Sequence, residues 1–210
     1  MNAIHELDAT LPAWMERFGQ AGGEDDRLRQ EIAEAGIALI ARSGADGLTF
    51  RRLASTLDVS TSVITRLFGA RDALWITIYY TTILRTQARI RSAYTRSHGS
   101  PLACLLAQMP VTKEGREDWH VYLAHMQAAA SHQKFNREER EQVRIAIRDF
   151  AELLAREHSF SRQAARKAAR QSFTFLIGVA VQAMYDPRSW SSQKQEIFMR
   201  EQMVSNGIPI

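Results

Sequence analysis

The chain has 210 residues, 45% of them hydrophobic and 24% charged, a composition that excludes wholesale disorder and fibrous repeats and suits one generous domain or two small ones. Its longest apolar run, 173–184, is about a dozen residues interrupted by Gln182, short of the roughly 18 that a membrane span requires. Net charge is +4, but residues 1–26 hold six acids against one base, so 27–210 carry 26 bases against 17 acids, a surface that attracts polyanions and puts nucleic acid first among partner classes.

No basic region followed by an apolar run opens the sequence, and the lone Cys104 cannot close an internal disulfide. The expectation is a cytoplasmic protein with no membrane partner. Apolar residues recur with helical spacing from residue 27 onward and almost nothing alternates with a strand's period, so the chain reads as all-α with about nine to ten helices. Residues 1–25 form an acidic, weakly amphipathic extension containing LPAWMERF. A helix over 27–41 follows, with Leu28, Ile32, Ala35, Leu39 and Ile40 on one face. Asp46-Gly47 makes a turn. Thr49 stands as the N-cap of a short helix over 50–57, and Ser60 as the cap of another over 61–68 that Gly69 ends. Breaks are also expected at 98–101, Pro110, 113–115 and Asp186-Pro187. Long helical patterns cover 71–95, 118–130, 137–156 and 163–185.

The two short helices and their tight connection make a helix-turn-helix. Ala54 is small where the helices would cross, and Leu53, Leu57, Val59, Ile64 and Phe68 supply the core between them. That leaves Thr61, Ser62, Thr65 and Arg66 on the outer face of the second helix, polar groups suited to base edges in a major groove. Thr49, Arg51, Arg52, Ser60 and Arg71 lie at helix starts, where backbone amides and dipole ends favour phosphate.

With Thr49, Leu53-Ala54, Asp58-Val59-Ser60, Phe68, Arg71 and Leu74 at this spacing, residues 27–74 resemble the DNA-binding segment of the tetracycline-repressor (TetR) family of transcriptional regulators. Asp58 replaces the usual turn glycine, and aspartate tolerates left-handed backbone better than most residues. Thr61, Ser62, Thr65 and Leu67 replace a common lysine, glycine, tyrosine and histidine, so the family's usual contacts do not transfer directly. The resemblance implies a DNA-binding head at 26–72 and a ligand-binding and dimerisation body at 73–210. It also implies a helix at 71–95 whose tilt responds to ligand.

Spacing and composition around 119–178 resemble the family's betaine-regulator-like branch. On that reading the protein is a dimer that represses from a palindromic double-stranded operator and is released by a small-molecule effector. The alternative is a helical adaptor of the same fold that binds a protein partner and has lost specific DNA binding.

The second half of the 163–185 helix is too apolar to face water. Phe175, Gly178, Val179 and Gln182, with Val143, Ile147, Phe150 and Leu154, are the candidate dimer interface. Two-fold symmetry matches half-sites about 34–36 Å apart. Trp75, Tyr79, Tyr94, Met109, Trp119, Tyr122, Met126, Phe173 and Ile177 are core residues that as a group could line an apolar pocket, with hydroxyls and indole nitrogens as polar anchors. Arg85, Arg89, Arg91 and Arg96 have no acid between Asp72 and Glu114, which reads as a solvated face or an anion contact.

His125 and His132 share a helical face, but no metal-ligand set is completed. Cys104 among leucines reads as a small buried hydrophobe. No phosphate loop, nucleophile elbow or paired-carboxylate arrangement is present, so neither enzyme activity nor a cofactor is expected.

Overall fold

A computed structural model describes residues 23–208 and residue 210. Of the expected 1–25 extension, residues 1–22, including LPAWMERF, lie outside the described residues. Nine α-helices and one 3-10 turn account for the described secondary structure: α1 Glu24–Ser43, the 3-10 turn Ala45–Gly47, α2 Phe50–Leu57, α3 Thr61–Phe68, α4 Arg71–Arg96, α5 Pro101–Leu106, α6 Lys113–Ser131, α7 Gln133–Glu157, α8 Arg162–Tyr185 and α9 Ser192–Ser205. None of them is long and apolar enough to cross a membrane.

The chain divides into two units. One runs from α1 through Leu84 and includes His120–Ala124; the other comprises Arg85–Trp119 and His125–Ile210. In the first, α1 packs against α2 and α3, and α2 against α3. Helix α1 begins earlier than the 27 expected, because Glu24, Asp25 and Asp26 occupy its first turn, where acids are favoured by the helix dipole. Its buried face is broader than the predicted stripe, with Ala33, Gly36 and Ile37 joining Ile32, Leu39 and Ile40, while Leu28 and Ala35 are only half-buried. Gly36 permits a close crossing: a Cβ there would fall 2.3 Å from Cδ1 and 2.9 Å from Cγ1 of the buried Ile78. Beside Ile78, helix α4 buries Leu74, Trp75, Tyr79 and Tyr80.

The second unit is built on the pairing of α7 with α8, with α9 packed on both α8 and α5. The expected turn at 113–115 is instead the first turn of α6, capped by Thr112, whose Oγ1 accepts the Gly115 amide at 3.0 Å. His132 alone, in extended backbone, separates α6 from α7. Helix α7 therefore starts at Gln133 rather than 137, and His132 does not share a helical face with His125. Cys104 is buried, and burial pushes its thiol up to about 11, which leaves it without thiolate character at neutral pH.

Candidate nucleic-acid interface

The first unit holds two short helices in a fixed relation. Thr49 caps α2, its Oγ1 accepting the Arg52 amide at 3.2 Å. Helix α2 buries Leu53 and Ala54 and ends at Asp58, whose φ of 53° and ψ of 42° are left-handed. The amides of Asp58 and Val59 both bond the Ala54 carbonyl, so the aspartate at the family's glycine position takes the turn conformation expected of it. Gly69, also at positive φ, closes α3 through a 2.7 Å bond from its amide to the Thr65 carbonyl.

Helix α3 buries Ile64, Leu67 and Phe68 and exposes Thr61, Ser62, Thr65 and Arg66. Leu67, at a position where the family often has histidine, serves the core. Thr65 Oγ1 donates to the Thr61 carbonyl at 3.0 Å, which turns its lone pairs outward as acceptors. Ser60 occupies the N-cap position of α3 but its side chain does not cap the helix. It pairs instead with the Ser62 hydroxyl at 2.6 Å.

Around α3 the cations are exposed but anchored. Arg52 Nη1 donates to the Gly47 carbonyl at 3.3 Å, and Arg71 Nη2 to the Ala45 carbonyl at 3.4 Å. Both bonds are to neutral groups, so the positive charge remains for an outside anion. Arg51 is also exposed. Arg66 differs. Its Nη1 and Nη2 donate to Asp25 Oδ2 and Oδ1 at 2.7 and 2.9 Å, and this pairing holds the Asp25 carboxyl below its ordinary value and raises the guanidinium.

The candidate effector residues divide between the units. Tyr79, Met109 and Trp119 are buried; Tyr94, Tyr122, Met126, Phe173 and Ile177 are half-buried. Two polar anchors expected among them already have partners: the Trp119 indole donates to the Gln108 carbonyl at 2.8 Å, and the Tyr94 hydroxyl to Glu157 at 2.9 Å.

Arg85 and Arg89, read from sequence as a solvated face or an anion contact, instead serve an internal ion network. Arg89 Nη1 donates to Asp118 Oδ2 at 2.7 Å, and Arg85 Nε lies 3.1 Å from Glu114 and 3.3 Å from Asp118 Oδ1. Burial pushes the Asp118 carboxyl up to about 6 against the opposing pull of the arginines. The acids come from one turn of α6, a tertiary pairing that local charge pattern cannot reveal.

Of the candidate dimer residues, Phe150 and Leu154 are already buried within the chain. Val179 is buried, Val143, Ile147 and Phe175 are half-buried, and Gly178 and Gln182 are exposed. An open groove of about 720 Å³ runs along α8 and α9, lined by Phe175, Gly178, Gln182, Trp190, Phe198 and Gln202 among others. A Cβ on Gly178 would meet nothing within 4 Å. Helix α9, which sequence reading passed over, contributes exposed Ile197 and Val204. Its Ile197, Phe198 and Met199 are consecutive, so its apolar residues are not confined to one face. Among the described residues no cluster of three or more histidine, cysteine or acidic groups could hold a metal.

A family model described as BetI-type transcriptional repressor, C-terminal, matches residues 102–205. No curated protein matches the chain. A transcriptional regulator from Rhodococcus sp. Rha1 superposes with a TM-score of 0.75 at 19% identity, covering 84% of this chain and 94% of that one. A TetR-family regulator from Rhodococcus sp. gives 0.70 at 14%, over 84% and 96%. A regulator from Saccharomonospora viridis, solved in complex with choline, gives 0.68 at 18%, over 86% and 97%.

Proposed function

We propose that the chain is a transcriptional regulator of the TetR family, a reading supported by the match of its residues 102–205 to the BetI-type repressor model, and that it represses transcription by binding a palindromic operator as a homodimer through α2 and α3. One observation carries the reading. Helix α3 buries Ile64, Leu67 and Phe68 while presenting Thr61, Ser62, Thr65 and Arg66 to solvent, a polar rod of the size one major groove admits. The bases at Arg51, Arg52 and Arg71, with the hydroxyls of Thr49 and Ser60, hold phosphates and set the register. The serine and threonine hydroxyls and Arg66 read base edges.

Reading two half-sites takes two copies. The α8–α9 groove, lined in part by Gly178, together with Ile197 and Val204 exposed on α9, is the surface on which the second copy docks. Phe175, Gly178 and Gln182 contribute from α8. A small organic molecule bound in the second unit acts as effector, its apolar contacts drawn from Met109, Trp119, Met126, Phe173 and Ile177. The choline bound by the Saccharomonospora regulator is the same scale of ligand. Helix α4 is unbroken from Arg71 to Arg96 and carries residues of both units, so a displacement of its second half is passed to its first. DNA affinity falls when the two heads no longer match the half-sites.

Sequence selection from random DNA, followed by titration of the recovered site, tests this. The expected affinity falls steeply with added salt. Thr65→Ala and Arg51→Ala each weaken it by about tenfold, whereas Arg148→Ala, far along α7, leaves it unchanged. Shallow attraction without sequence preference, equal in all variants, supports the adaptor alternative instead.

A further inference from the structure

Of the three acids in the first turn of α1, Asp26 pairs locally with Arg29 at 2.9 Å, while Asp25 reaches across 41 residues of sequence to Arg66 on α3. This link is two-pronged, joining both carboxylate oxygens to both terminal guanidinium nitrogens. We propose that Asp25 is a positioning residue for sequence recognition, holding the Arg66 guanidinium so that its remaining N–H edge faces one base pair of each half-site. The inference rests on the DNA-binding reading above and specifies which contact in it carries base discrimination.

Three physical points support it. A guanidinium has five N–H donors in a rigid planar fork, and Asp25 engages Nη1 and Nη2 end-on. The Nε–H and the adjacent outward N–H of the fork stay parallel, the geometry that matches the paired acceptors O6 and N7 of guanine. Second, an arginine whose task is phosphate attraction gains nothing from a neighbouring carboxylate, which cancels its charge and repels the backbone. Arg52 and Arg71, by contrast, are tethered to neutral carbonyls. Third, both members are about half exposed, at 58% for Arg66 and 48% for Asp25, and an exposed pair of this kind adds little to folding stability. What it does supply is a restricted set of rotamers for a long side chain before DNA arrives, the form of preorganisation that raises specificity.

The test compares wild type, Asp25→Asn, Asp25→Glu and Arg66→Ala by selection from random duplexes and by titration of the selected and scrambled sites. In Asp25→Asn, discrimination at one base position per half-site drops about tenfold, the other positions keep their preferences, and binding to scrambled DNA is equal or slightly tighter because a negative charge is gone. Arg66→Ala loses preference at that same position. Asp25→Glu, which restores a carboxylate, keeps the preference. If Asp25→Asn instead tightens selected and scrambled DNA by the same factor with an unchanged preference profile, or Arg66→Ala leaves the profile intact, Asp25 only lowers local charge and the inference is overturned alone. A wild-type protein that selects no sequence overturns the DNA-binding reading and this inference with it.

Discussion

His125 has no accessible surface, and burial pulls its imidazole down to about 4 despite an opposing hydrogen bond to the backbone at Phe135. Glu139 lies 3.9 Å from its Nε2. In the unfolded chain the ring titrates at about 6.5. Between these values the unfolded chain binds the extra proton, so stability is complete above the higher value and lost as pH falls toward the lower, by on the order of 3 kcal/mol. Asp118, raised to about 6, acts in the opposite sense between the ordinary carboxylate range and that value. The clean measurement is therefore the difference in melting temperature between wild type and His125→Gln at each pH. The gap should narrow by several degrees from pH 7 to 5; a pH-independent gap overturns the assignment. Single residues also mark the limit of what sequence discloses. Asp58 is legible because one aspartate at a glycine position admits few backbone solutions. Arg66 is not, because its partner lies in an acidic stretch that composition assigned to the extension preceding the fold.

Helix α1 crosses α4 at Gly36, where no side chain separates the glycine from Ile78. Replacing it with alanine improves helix propensity by about 1 kcal/mol but forces a methyl into occupied space, an overpacking cost of typically 1–3 kcal/mol. Gly36→Ala should therefore lower stability in chemical denaturation. Ile78→Val, which deletes the nearest clashing methyl, should recover part of that loss in the double variant; strict additivity of the two changes would argue against the crossing. Hydrophobic periodicity, together with the caps Thr49 and Ser60 and the stops Gly69 and Asp186-Pro187, places α2, α3, α4 and α8 closely. It misplaces the starts of α6 and α7, since Thr112 caps α6 beyond its apolar pattern and the break at His132 is a single residue with no glycine or proline. Helices α5 and α9 escape it: one is a single turn and a half, and the other carries apolar residues on more than one face. The Arg85, Arg89 and Asp118 cluster was illegible for a different reason, being a pairing between helices rather than within one.

In the proposed dimer the two copies meet along the α8–α9 surface. Gly178 has open space above it in the single chain, so Gly178→Trp should leave the circular dichroism spectrum and melting of the monomer intact. It should shift the sedimentation coefficient toward that of one chain, with operator affinity falling about a hundredfold or more as bivalent engagement is lost. Retention of the dimer would move the interface elsewhere. Sequence reading pairs α8 with α7 at this surface, but Phe150 and Leu154 of α7 are buried within the chain, whereas α9 leaves Ile197 and Val204 exposed.

The burial of Cys104 has a practical corollary. As the sole thiol in 210 residues, it leaves a silent background for maleimide chemistry under native conditions. A cysteine introduced at the solvent-facing Thr61 would then be the single attachment point for a spin label or fluorophore on each copy. If the proposed dimer forms, pulsed electron resonance between the paired labels gives the spacing of the two α3 helices in solution, and its response to candidate effectors.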